Sequence, residues 1–525
     1  MRIDLGLPRE TACPLAELSA TTEASLPGRD SGSRMQFISW NFAAFLPVVF
    51  LLHYAGRRVG WQVGVLTLAS FVFYGWKDPW LLPLLLVSTL VNGVAAQIIL
   101  TPQQSDIRRR QAVVGALTFN LSALGFFKYG PLLGPWIFPG ITSEELGKAI
   151  PLPIGISFYT FQGISLVCES WWARKRGLPG LAVPAKGPVS AEHTVELGWF
   201  HAKVWFFKAF FPQLIAGPIV KAQEFLYQIG PKSFAQIDWD GVVRKLVLGF
   251  FLKMVVADNL KEATSMLNSE SLRSPGFHEV PWSTLLLLLY GFSFQIYADF
   301  AGYSYIAQGL AKLFGYTLPD NFHHPYLASS LTDFWRRWHL SLSSWLREYL
   351  YIPLGGNRRG EGRTYFNLFL VMFLGGLWHG AAWSYALWGT VHGAGLALER
   401  WTGLGRTPPD ATRWNWIRIA RVLLTFHVVS ALWLLFQLHE FADVLAFGRA
   451  LFSAPNGISP QIAFVLLLFS LPVLGQHIWS AMRSGRATTT RTTLGHWPET
   501  FAYATLLALV LVNAGGPGKF FYFQF

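Results

Sequence analysis

Cysteine is almost absent from these 525 residues. Only Cys13 and Cys168 occur, so a disulfide framework is excluded as the device that holds the chain together. Charge is scarce too: Lys, Arg, Asp and Glu make up 14% of the chain, where a soluble domain carries roughly a quarter. No Gly-x-Ser-x-Gly elbow, no Walker phosphate loop and no HxxxH or HExxH helix spacing occurs, so serine hydrolysis, nucleotide-driven pumping and metal catalysis lose support. No internal repeat is visible, which counts against an inverted-repeat transporter.

What is present is apolar. Hydrophobic residues account for 52% of the chain, with 23 Trp and 43 Phe, a composition suited to lipid tails and interfacial belts. The net charge of +13 would suggest nucleic acid in a soluble protein. Here the basic residues sit in short loops between apolar runs, as in Arg57-Arg58, Arg108-Arg109-Arg110 and Arg174-Lys175-Arg176. The positive-inside rule accounts for them, with the N-terminus outside, and no nucleic-acid partner is expected.

Residues 1–34 are polar, contain Pro8, Pro14 and Pro27 and lack a signal-peptide core. They read as a disordered leader or as a start placed too far upstream. From Met35 onward, apolar runs near the ~20 residues a bilayer requires predict one transmembrane domain over residues 35–525. The expected fold is an all-α integral membrane bundle of about 10–13 transmembrane and re-entrant helices. Two runs are anomalous. Residues 282–314 are too long for one span, and 364–398 are interrupted by Gly375-Gly376, so both are expected to be broken or paired helices.

Four polar islands interrupt the apolar pattern. Phe211-Pro212-Gln213-Leu214-Ile215-Ala216-Gly217-Pro218 bends or breaks a helix. Around Phe294-Gln295-Ile296-Tyr297-Ala298-Asp299 an acid lies in apolar surroundings, which marks Asp299 as a substrate-site candidate, with a helix cap or internal ion pair as the alternative. In the third island, residues 332–356, a helical projection puts Arg336, His339, Ser343 and Arg347 on one stripe beside an apolar strip of Phe334, Trp338, Leu342 and Trp345. Asp333 followed by Arg336 and Arg337 could hold a phosphate or pantetheine-type donor through charge-assisted hydrogen bonds, although a basic helix resting on headgroups shows the same pattern.

The fourth island reads Gly375-Gly376-Leu377-Trp378-His379-Gly380-Ala381-Ala382-Trp383. Its glycines let a backbone or a slender substrate approach His379, and Trp378 and Trp383 are expected to wall it. An imidazole there needs partners that hydrocarbon does not offer. His392 lies about 220° further round a straight helix, so the two histidines are not expected to share a face. The adjacent His323-His324 point apart and make a poor metal clamp, and no metal site is expected.

These segments carry a resemblance. Leu152-Pro153-Ile154-Gly155-Ile156-Ser157-Phe158-Tyr159-Thr160-Phe161-Gln162, the run from Phe210 to Val220, Asp333 to His339, Tyr351 to Arg358, the fourth island and the terminal Phe521-Tyr522-Phe523-Gln524-Phe525 resemble the membrane-bound O-acyltransferases. The alginate O-acetylation branch looks closer than the teichoic-acid branch. The resemblance implies a bacterial inner-membrane acyltransferase that uses a cytoplasmic thioester donor, acetyl-CoA or an acyl carrier protein, and binds no cofactor. The acceptor would be a hydroxyl of an extracytoplasmic polysaccharide, reached directly or through an acetyl-accepting partner protein. By the same resemblance His379 is the essential histidine and His339 the second, with Asp333, Arg336, Arg337, Trp378 and Asp299 on the substrate side. Two positions depart from the family pattern, Tyr305 and Glu169, and Tyr305 leaves acceptor specificity open. A glycan or lipid-linked precursor translocase, or a protein or lipid acyltransferase, is the competing reading.

Overall fold

The computed structural model describes residues 35–176, 191–215, 217–405, 415–484 and 496–512. The expected leader at 1–34 and the terminal Phe521–Phe525 motif lie outside these described residues. All regular structure among the described residues is helical. Among the described residues, five helices are long and apolar enough to cross a membrane: Leu81–Leu100, Asp106–Ile137, Trp282–Leu313, Trp416–Gln437 and Pro460–Trp479. Three shorter apolar helices, Trp40–Ala55, Val59–Gly75 and Glu499–Val512, accompany them. Their outward faces expose Leu51, Leu68, Leu90, Leu121, Leu424 and Leu471, a surface stable against lipid and not against water. The protein is a multi-pass, all-α membrane protein.

Polar groups at depth are paired between helices. Thr101 ends the Leu81–Leu100 helix, and Arg109 of the next helix donates to the carbonyls of Thr101 (3.0 Å) and Pro102 (2.8 Å) while pairing with Asp106 (2.7 Å). One guanidinium thereby closes the turn between the two helices. Further in, Asn92 and Asn120 exchange amide hydrogen bonds at 3.2 and 2.7 Å, which clamps the hairpin where water cannot compete.

The expected break in 282–314 is absent. Trp282–Leu313 is one uninterrupted helix of 32 residues, and 83% of its most apolar window is buried inside the protein. At 1.5 Å per residue it is about 48 Å long, and protein rather than lipid surrounds most of it, so bilayer thickness does not limit its length. Glycines let it pack closely. A Cβ on Gly302 would stand 2.9 Å from the Lys253 backbone nitrogen, and one on Gly249 would stand 2.8 Å from the Ile306 backbone nitrogen. This crossing presses a π-helical segment, Phe251–Ala257, against the centre of the long helix.

The 364–398 run is broken, but not at Gly375-Gly376. Glu361–His379 and Trp383–Thr402 are separate helices divided at Gly380–Ala382. Glycine inside a helix costs only about 1 kcal/mol relative to alanine, and Gly376 is kept for packing. A Cβ there would fall 2.2 Å from the Tyr385 carbonyl oxygen, and a Cβ on Gly389 would fall 2.2 Å from that of Met372. The two helices are zipped backbone to backbone.

Gly389→Val should lower the thermal unfolding temperature in detergent, in line with an overpacking cost of ~1–3 kcal/mol. Gly448→Ala, whose new Cβ would meet nothing within 4 Å, should leave that temperature unchanged or slightly raised.

Candidate active site

His379 is the last residue of its helix. At Gly380 the backbone turns to an extended conformation (φ −169°), and the position must be glycine because a Cβ would lie 2.1 Å from the Tyr385 ring. The imidazole, 5% exposed, meets Trp388 edge-on at 5.3 Å and packs against Phe436 at 5.1 Å. It forms one wall of an internal cavity. Ile296, Asp299 and Phe300 of the central helix form another, and Trp338, Trp433 and Phe436 complete it. His379 and Asp299, two of the residues singled out in the sequence, therefore face a common space.

The helical stripe expected in the third island does not form. Leu331–Trp335 and Leu340–Leu346 are two short helices, and His339 between them sits in the left-handed region at φ 45°. The cause is tertiary hydrogen bonding. Asn321 takes the Leu340 N–H on its backbone carbonyl (3.0 Å), while its side-chain oxygen accepts from the Ser341 N–H (3.3 Å) and hydroxyl (2.9 Å). That oxygen also lies 3.0 Å from His339 Nδ1. Since the Ser341 amide can only donate, the Asn321 oxygen is the acceptor, and His339 Nδ1 carries a proton. In the neutral ring Nε2 then holds the lone pair. His339 is fully buried, 4.6 Å from the Phe300 ring and 6.2 Å from that of Trp378, whereas Arg336, expected on the same stripe, is exposed.

Asp299 has the ion-pair partner that was its alternative reading. Lys253, on the π-helical segment, lies 2.8 Å from Asp299 and 2.6 Å from Asp258, with all three side chains buried. The Gly249–Gly302 crossing brings that segment close enough for the pairing. Asp299 thus joins a buried charge cluster and lines the His379 cavity as well.

The other expected site residues lie elsewhere. Asp333 pairs with Arg337 at 2.7 Å and accepts the Ser329 N–H at 3.0 Å. Neither they nor Arg336 line the cavity. Trp378 stacks on Phe161 at 5.2 Å, and Phe161 stacks on Trp345 at 3.7 Å, so Trp378 backs the site. Trp383 walls nothing: it is 71% exposed, because the helix break turns it outward. His392 accepts from the Trp335 indole at 3.2 Å and reaches His379 only through the intervening Trp388 ring. At the two departures from the family pattern, Glu169 accepts from the Gln223 N–H and the Tyr349 hydroxyl, and Lys245 lies over the Tyr305 ring.

Sequence reading missed Asn321, Lys253 and the aromatic pair Trp433 and Phe436. Lys253 carried a usable signal, since the rule that flagged Asp299 applies equally to a lysine in an apolar run. Asn321 carried none, because a loop asparagine looks like an ordinary turn residue.

A helical bundle with apolar outward faces and a histidine and an aspartate at one internal cavity defines a multi-pass membrane protein. Comparison with known proteins gives the class: residues 201–438 match the membrane-bound O-acyltransferase family. The chain is also 35% identical over 417 residues to a probable alginate O-acetylase of Pseudomonas aeruginosa, covering 78% of this chain and 73% of that protein. It is 33% identical over 437 residues to a peptidoglycan O-acetyltransferase of Helicobacter pylori, covering 79% of each. A teichoic acid D-alanyltransferase of Bacillus subtilis is 27% identical over 53% of this chain and 66% of its own length. The protein belongs to the membrane-bound O-acyltransferase family and is an acyltransferase.

Two outcomes test this geometry. Lys253→Met should destabilise the fold by about 3–5 kcal/mol, because two buried carboxylates lose their cation. Asp258→Asn in the same chain should recover part of that loss in thermal unfolding. Asn321→Leu should lower acyl transfer on the order of tenfold by releasing the His339 ring, as read by turnover of protein that still elutes as a single species.

Proposed function

We propose that the protein transfers an acetyl group from a cytoplasmic thioester, acetyl-CoA or an acyl carrier protein, to hydroxyls of an extracytoplasmic polysaccharide, directly or through an acetyl-accepting partner protein. The membrane is then the bacterial inner membrane. The main support is the position of His379, in a cavity wall at the break between two helices, in a chain 35% identical to a protein named as an alginate O-acetylase.

In this reading His379 is the general base. As the acceptor oxygen bonds to the thioester carbonyl, its proton passes to the imidazole; the carbon–sulfur bond then breaks and the departing thiolate takes that proton, so no net proton is consumed. A neutral imidazole has the lone pair that accepts the proton and can return it to the departing thiolate. His339, with its protonated nitrogen held by Asn321, offers Nε2 to orient a donor group. Asp299 contributes negative charge to the cavity where the imidazolium forms. The exposed Arg336 would meet a donor phosphate, while Arg337 shares its guanidinium with Asp333. Trp378 keeps the imidazole in place from behind.

The test is transfer of labelled acetyl from acetyl-CoA by purified protein in nanodiscs, offered alginate oligosaccharides, cello-oligosaccharides and peptidoglycan fragments. His379→Ala that remains folded should lose on the order of 10²–10⁴ in rate. Equal transfer by both proteins would remove His379 as the base.

A further inference from the structure

The helix that ends in His379 leaves a problem at its last turn. Because the chain departs from helical geometry at Gly380, the carbonyls of Leu377 and Trp378 have no partner four residues on, and at membrane depth water does not replace one. Two donors from a distant part of the chain satisfy them. Within the Asp106–Ile137 helix, the Tyr129 hydroxyl donates to the Leu377 carbonyl and the Lys128 ammonium donates to the Trp378 carbonyl. Lys128 is 7% exposed, and its nitrogen stands 5.7 Å from the centre of the Trp378 ring. No carboxylate pairs with it among the described residues.

A buried lysine in a spanning helix is costly, and such residues face protein and find a partner there. Here the partner is the negative end of a helix dipole, which a cation stabilises. The contact spans 250 residues, and it comes from outside residues 201–438 that match the family. The acyl-transfer chemistry described above does not use it.

We propose that Lys128 and Tyr129 are positioning residues, which hold His379 in its working geometry by capping the last turn of its helix. This rests on the reading of His379 as the general base. The cap fixes the backbone at Leu377 and Trp378, and the imidazole follows one residue later with its ring against Trp388 and Phe436. Without the cap the terminal turn frays. The imidazole then leaves the cavity wall for part of the time, and donor binding, which does not use the cap, is left as it was.

The test uses the full chain in nanodiscs and the variants Lys128→Met, Lys128→Arg and Tyr129→Phe, with two readouts. The first is modification of His379 by diethyl pyrocarbonate, followed by peptide mass spectrometry, with the buried His392 as internal control. Lys128→Met and Tyr129→Phe should raise the His379 rate at least ~3-fold, as expected for a turn that opens locally, and leave His392 unchanged. Lys128→Arg, which keeps the charge and the donors, should stay near the natural protein. The second readout is acetyl transfer from acetyl-CoA: kcat should fall at least ~10-fold in Lys128→Met with the donor KM within about twofold, and Lys128→Arg should restore most of it. Unchanged His379 modification overturns the cap. Raised modification with unchanged kcat overturns the positioning role. If Lys128→Met does not fold, Tyr129→Phe, which removes one oxygen and keeps the packing, decides on the same two measurements. Full activity in His379→Ala would defeat the general-base reading instead, and the modification rates would still decide whether the cap exists.

Discussion

Hydrocarbon offers no hydrogen bonds, and most of this architecture follows from that. Each polar group at depth must find a partner within the protein. Arg109 takes up the carbonyls at a helix end, Asn92 and Asn120 satisfy one another, and Lys253 sits between two carboxylates. Partners of this kind come from other helices, so each pairing also fixes how two helices sit together. In water the same groups could be solvated separately and would define much less.

Glycine sets the distances at which those pairings happen. The Gly249–Gly302 crossing brings the π-helical segment close enough for Lys253 to reach Asp299, and the Gly376–Gly389 contact aligns the two helices on either side of His379. Between spanning helices there is little hydrophobic force, since lipid is as apolar as leucine, so close backbone approach and interhelical hydrogen bonds supply the attraction. The site is therefore a product of packing before it is a collection of reactive groups.

The legible part of the structure was whatever depends on local composition. Apolar length marked the membrane helices, and the unexpected polarity of His379 and Asp299 marked the cavity; two of the basic clusters expected in loops, Arg108–Arg110 and Arg174–Arg176, lie instead in the end turns of helices. What could not be read was set by contacts between distant segments. The stripe projected through Arg336 and His339 assumed a continuous helix, and Asn321 breaks it by taking the N–H groups of Leu340 and Ser341. The break was expected at Gly375-Gly376, yet Gly376 serves a neighbouring backbone and the helix runs on past both glycines to His379. Trp383 was expected in the wall and faces outward for the same reason. The central helix was judged too long for one span because that limit applies to helices in lipid, and protein surrounds this one.

The cavity around His379 also has an order of assembly. Its walls belong to the central helix, then to Trp338 and His379, and last to Trp433 and Phe436 of the Trp416–Gln437 helix. A chain emerging from the ribosome inserts them in that order. Until the last of these helices enters the bilayer, His379 faces an open side, and a nascent chain halted before residue 416 holds that histidine without its enclosure. The cavity closes late in synthesis, when most of the protein is already in the membrane.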